Sequence, residues 1–248
     1  MQRIASLVLF SLALSALVGS AWAFLPGDGD INRDYGRQYG QLDAWQVEVT
    51  FPAFPGVAAE YWLNQGRWRQ EWYAGDVLAA VAVGPSPEAV RPFGEESAPP
   101  PLLMAWQAPR PVAKWMRLGA TNATRSYSFD GDEPVLVFGA GPGDATSPQA
   151  WLSNDGMHIL RLVLTGPRGP VTFRFSTYSL FSGYQVPHSG VIEAGDGERL
   201  EFRITWKSVR PDAAPATYSP ASLTDVQCSG EPPQPLRWLA LRLPSRLD

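Results

Sequence analysis

In residues 199–206 the apolar side chains Leu200, Phe202, Ile204 and Trp206 alternate with Glu201, Arg203 and Thr205. That period of two puts one face of a strand in a core and the other in water. The same alternation carries Trp45, Val47, Val49 and Phe51, with Gln46, Glu48 and Thr50 between them. Residues 59–63 and 67–73 read as two strands of a hairpin around Asn64-Gln65-Gly66. On its second arm Trp68, Gln70 and Trp72 share one face while Arg67, Arg69, Glu71 and Tyr73 share the other. Further strands are predicted over 77–83, 125–129, 134–138, 150–153, 157–164 and 171–176. Segments this closely spaced, joined by Gly, Pro, Asn and Asp, leave no room for crossover helices, so the sheet is expected to be antiparallel.

Three regions break the pattern. Eight prolines between Pro85 and Pro111 predict a long surface excursion or flap. Inside it, residues 102–106 suit a short helix, and residues 111–118 suit another, with Pro111 at its first turn and Gly119 after its end. Both are apolar on more than one side, which predicts plugs for the concave face of a curved sheet. Residues 236–243 fit either a closing strand or a short helix. Residues 24–42 are polar and Gly-rich and predict a non-helical N-terminal arm. Asp28-Gly-Asp30-Ile-Asn32-Arg-Asp34 begins like a calcium loop, but Arg33 stands where that loop needs Gly and Tyr39 where it needs a bidentate Glu.

Before the first strand comes an apolar run, Ile4 to Val18, after Met1-Gln-Arg3 and before the small-x-small site Ala21-Trp22-Ala23. That order predicts a secretory signal peptide over residues 1–23, cleaved near Ala23, and so an exported, periplasmic chain that is not membrane-embedded. The formal charge of −4 comes without a Lys/Arg cluster, which argues against nucleic acid or an anionic membrane surface as partner. A single cysteine, Cys228, cannot form an internal disulfide, so the hydrophobic core alone must hold the fold. Ten Trp beside 24 Pro and 23 Gly predict short strands around a wide apolar interior. Those indoles suit either ordinary core packing or the lining of a cavity.

Catalytic chemistry is sparsely represented. His158 and His188 are isolated from each other and from Cys228, so no metal-ligand spacing arises and no metal or other cofactor is expected. His188 follows Pro187 in a predicted loop without the Gly-x-Ser-x-Gly or Cys/His setting of a nucleophile. The Gly139–Asp144 turn lacks the Gly-Lys-Ser/Thr ending of a phosphate loop.

Several loose motifs occur in an order with a counterpart among known proteins. They are Val135-Leu-Val-Phe-Gly-Ala140, Trp151-Leu-Ser-Asn-Asp155, His158-Ile-Leu-Arg-Leu162, and Gly183-Tyr-Gln-Val-Pro187 leading to residues 199–206. Together with the first strands they resemble the periplasmic outer-membrane lipoprotein carriers, the LolA/LolB-like family. The resemblance implies a mainly β fold: a strongly curved antiparallel sheet, or half-barrel, with short helices covering its concave apolar face. It divides the chain into the signal peptide, the arm 24–42, a lipid-binding half-barrel over 43–219 and a C-terminal extension over 220–248. It implies a non-enzymatic carrier that shields the acyl chains of lipids or lipoproteins. The alternative is a non-catalytic sensor or scaffold of the cell envelope that binds a protein or lipid signal. On this reading Trp62, Trp68, Trp72, Trp106, Trp115 and Met116 line or cover the cavity. Arg67 or Arg69 would hold a lid, although an ion pair with Glu71 or Glu60 is the simpler role for either.

Overall fold

The computed structural model describes residues 25–85, 88–90, 98–106, 110–120, 124–210, 215–244 and 247. The expected signal peptide lies outside the described residues. In chain order, helix α1 (Asp28–Tyr39) precedes strands β1 (Ala44–Thr50), β2 (Val57–Asn64), β3 (Arg67–Ala74), β4 (Val77–Gly84) and β5 (Glu88–Val90). Two short helices follow, α2 (Leu103–Trp106) and α3 (Pro111–Arg117). Strands β6 (Thr124–Asp130), β7 (Glu133–Gly139), β8 (Gln149–Ser153), β9 (Ile159–Gly166), β10 (Gly169–Phe181), β11 (Tyr184–Ala194) and β12 (Arg199–Val209) come next. Two 3-10 turns, Pro215–Tyr218 and Pro220–Leu223, and helix α4 (Gln234–Arg242) close the chain.

All the strands join one 12-stranded sheet in the order β5-β4-β3-β2-β1-β12-β11-β10-β9-β8-β7-β6. Every paired neighbour is antiparallel. The sheet is curved and stays open, because β5 and β6 are its two edges. Those edges are consecutive in the chain, so the connection between them has to cross one whole face of the sheet. Segment 98–106 and helix α3 make that crossing over the concave face, and Ala98, Leu102, Leu103, Trp106 and Trp115 are buried beneath it. The expected surface flap is therefore a cover with its apolar residues turned inward; its helices fall within the expected 102–106 and 111–118, the second starting at Pro111.

Residues 24–42 depart from expectation. Ile31, Tyr35 and Tyr39 recur every four residues, and as a helix they form one stripe that is wholly buried. Gly29 and Gly36 weaken helix propensity, and docking of this stripe on the core outweighs them. Asp30 accepts a hydrogen bond from the Gly27 backbone N–H at the helix start, and Arg37 stands in its last turn. The 236–243 stretch resolves as helix α4, which puts Leu236, Leu239 and Leu243 into the same core.

Strand β11 was the least legible of the strands. Pro187 lies within it, and its Ser189-Gly190 pair has no apolar alternation. It forms because β10 and β12 flank it on both sides, pairing Phe173 with Ile192 and Ile192 with Leu200.

Candidate functional site

The concave face is apolar along most of its width. Val47 and Val49 of β1, Tyr61 and Leu63 of β2, Trp68 and Trp72 of β3, Leu136 and Phe138 of β7, and Phe202, Ile204 and Trp206 of β12 form one cluster with the helices. Indole and phenol rings connect the cover to the sheet. Tyr39 of α1 meets Trp106 of α2 edge-on at 5.2 Å, Trp106 meets Trp206 at 5.8 Å, and Trp206 meets Trp45 at 5.9 Å. On the other side of the cover, Trp115 packs against Phe138 at 5.4 Å and Tyr35 at 6.5 Å.

Polar ties hold the cover in place, among them one from Lys114 Nζ of α3 to the Met104 carbonyl of α2. Tyr35 Oη donates to the Trp106 carbonyl at 2.9 Å, and the Val112 N–H donates to Asn32 Oδ1 at 3.3 Å. Asp28, at the start of α1, pairs with Arg125 of the edge strand β6. At the other end of α1, Tyr39 Oη donates to the Gln185 carbonyl at 2.8 Å and lies 2.9 Å from His158 Nδ1, which Gln38 Nε2 also approaches at 3.1 Å. The His158 ring stacks on Tyr178, whose hydroxyl donates to the Ile159 carbonyl and accepts from Trp106 Nε1. Half-buried in this way, His158 is held below the usual imidazole pKa by the cost of desolvating its cation. Over β3, Gln70 donates to the Pro99 carbonyl and accepts from Trp72 Nε1, fastening the segment before α2 to the sheet.

The expected site residues separate into two groups. Trp68, Trp72, Trp106 and Trp115 all face this interior and are at most 2% exposed, so they touch no open, water-sized space in this state. Trp62 is on the opposite, convex face, directly across from Arg69. Tyr61 and Leu63, one residue to either side, take the inward positions of that strand. Met116 is 43% exposed on the outer side of α3. Trp62 and Met116 thus depart from the expected lining, because strand and helix periodicity turn them away.

Arg67 is exposed at the start of β3. Arg69 is buried on the convex face, where its Nε donates to Glu71 at 2.7 Å and its Nη1 to the Thr217 carbonyl at 3.2 Å and Ser222 Oγ at 3.0 Å. It holds the two 3-10 turns of the C-terminal segment and makes the ion pair with Glu71. Trp62, Arg69, Glu71 and Ser222 line an open cleft of about 560 Å³ beside it. On the same face Glu48, Glu60 and Glu71 lie directly opposite one another across three strands. Burial, and then the neighbouring Glu71, push the Glu60 pKa up.

Sequence reasoning missed the Tyr39–His158 contact and the burial of Tyr61. The four-residue spacing of Ile31, Tyr35 and Tyr39 was the available signal for the first. Among the described residues no group of three or more His, Cys, Asp or Glu side chains is placed to hold a metal ion. No helix among them is long and apolar enough to cross a membrane.

No family model matches the chain, and no curated protein matches it. Among solved structures, a LolA superfamily protein from Nitrosomonas europaea is similar at 14% identity and TM-score 0.45, covering 80% of this chain and 100% of that one. A domain from Vibrio parahaemolyticus, described as outer-membrane lipoprotein-sorting, is similar at 11% identity and TM-score 0.44, covering 78% of this chain and 96% of that one. Both are likenesses at low identity, and the open half-barrel with helices over its concave face stands on the chain's own strand order.

Proposed function

We propose that this chain is an exported, non-catalytic carrier that takes acyl chains of lipids or lipoproteins between its curved sheet and its helical cover, and delivers them in the periplasm toward the outer membrane. One observation carries the reading. The concave face is closed by short helices on a long crossing connection, and not by a second sheet, so the apolar surface can be uncovered without breaking a strand ladder. Each methylene moved from water to that surface gains about 0.8 kcal/mol, which offsets the hydrogen bonds and the apolar burial of the cover side chains that an acyl chain replaces. The alternative, an envelope sensor or scaffold, is favoured by the open convex cleft at Trp62 and Arg69, which is large enough for part of a partner protein.

Native mass spectrometry of the exported protein, with lipid extraction, tests the choice. An acylated species leaving with the protein, together with uptake of a fluorescent fatty acyl probe, is the expected result. An empty protein that takes up no probe and brings down a second polypeptide would replace the carrier by the scaffold.

A further inference from the structure

The concave core contains three buried side-chain donors without a hydrogen-bond partner among the described residues, Tyr61 Oη and Trp45 Nε1 on the sheet and Trp115 Nε1 on α3. For the two on the sheet the surroundings explain why. Tyr61 lies directly across from Val47 on one side and Gln70 on the other, and the Gln70 amide is already engaged by Trp72 Nε1 and the Pro99 carbonyl. Trp45 lies across from Leu63 and Val209, with the Trp206 ring against it. Five other indoles, Trp72, Trp106, Trp151, Trp206 and Trp238, each donate to a protein oxygen, whereas Trp115 Nε1 is unpaired as well. Tyr61 Oη and Trp45 Nε1 are sealed from solvent, which leaves no room for a water against them. A buried donor without an acceptor is costly, and two on adjacent strands call for an explanation.

Tyr61 and Trp45 share one face of the sheet but lean to opposite sides, Tyr61 against Trp72 of β3 and Trp45 against Trp206 of β12. Val47 pairs with Tyr61, and Trp45 stands two residues before Val47 on the same face, so the two side chains are diagonal across the β1–β2 ladder. Trp45 is also the sheet end of the ring series that begins at Tyr39 and Trp106, with Trp206 between it and segment 98–106. A ligand that fits must be apolar along its length and present oxygen acceptors at this point. A neutral acceptor suits these two neutral donors, because burying an anion against them would cost far more than burying a carbonyl. Ester carbonyls of an acyl glyceride meet all three conditions. We propose that Tyr61 Oη and Trp45 Nε1 form a donor pair that reads the ester carbonyls of an acyl lipid, so that the carrier prefers ester-linked lipids over ether-linked lipids of equal chain length. This inference rests on the carrier reading.

The test uses two fluorescent glycerides of matched length, one diacyl ester and one dialkyl ether, with wild type, Tyr61→Phe and Trp45→Phe. Wild type is expected to bind the ester at least about five-fold more tightly, the value of one net hydrogen bond. Tyr61→Phe should lose most of that preference and melt no lower than wild type, since it removes an unpaired hydroxyl. Equal affinity of wild type for ester and ether overturns the donor pair and leaves the carrier standing. A preference that survives both substitutions overturns it as well, as does a fall of several degrees in the Tm of Tyr61→Phe, which would reveal a partner for the hydroxyl within the fold. Binding of neither glyceride removes the carrier reading and the donor pair together.

Discussion

Gly84 is fixed by an aromatic ring. It pairs with Trp68 across the β3–β4 ladder, and a Cβ built on it would lie 2.0 Å from the indole. The ring lies over the backbone of β4 because nothing projects from that position. Gly84→Ala is therefore expected to cost about 1–3 kcal/mol by forcing the indole off its seat, read as a lower Tm with reduced Trp fluorescence anisotropy; an unchanged melt would mean that the ring has room to shift. His158 makes a different residue-scale prediction. Its pKa is lowered in the folded chain, so the unfolded chain binds a proton more readily in the interval below about pH 6.5. Stability is then fully present above that value and is lost as the pH falls toward the lowered pKa. Thermal melts at about pH 7.5 and about pH 5.5 should show a larger drop for wild type than for His158→Phe. Equal drops would place the acid sensitivity elsewhere.

At the scale of elements, the polar ties decide which pieces can move separately. Arg69 connects β3 to the turns over 215–223 through Thr217 and Ser222, while its charge is met by Glu71. Arg69→Met removes both links and leaves Glu71 half-buried without its cation. A loss of about 1–3 kcal/mol is expected, discounted from a fully buried pair because solvent reaches the carboxylate. Limited proteolysis should then cut first within 215–230. Protection there equal to wild type would show that Leu223 against Val81 and Val83 suffices to hold the segment.

The strands of the first meander were legible from alternation alone, because one face meets a core and the other meets water. The same rule was blind to α1, whose buried stripe of Ile31, Tyr35 and Tyr39 is spread among charged and Gly positions. It also left both faces of β2 open, and the choice of its Trp-bearing face was wrong. Alternation says which residues share a side and not which side is covered.

For the whole molecule, the C-terminal segment closes what the sheet leaves open. Leu223 covers Val81 and Val83 on the convex face, and α4 brings Leu236, Leu239 and Leu243 into the main core. Arg242, stacked on Trp238, is paired with Asp196 and Glu198 in the β11–β12 turn, which locks the helix against that end. Ending the chain after Arg210 should expose both apolar surfaces at once and give an aggregating product in size-exclusion chromatography. A monomer with an unaltered melting temperature would show that the half-barrel is complete without its tail.

The sequence by itself determined that this is a sheet protein with an aromatic interior, antiparallel strands and two short apolar helices, since each follows from periodicity, Pro and Gly placement or loop length within a few residues. The tertiary structure decided what lies over what. Only the pairing of β1 with β12 makes β5 and β6 distant edges, and only that separation puts residues 98–106 and 110–120 over the concave face. The burial of Trp68 and Trp72, the outward turn of Trp62, the docking of α1 through Tyr39 and the isolation of Tyr61 and Trp45 all follow from that crossing and from contacts between residues far apart in the chain. Local periodicity cannot contain them, because it records which neighbours a residue shares a face with and nothing about what arrives from the other end.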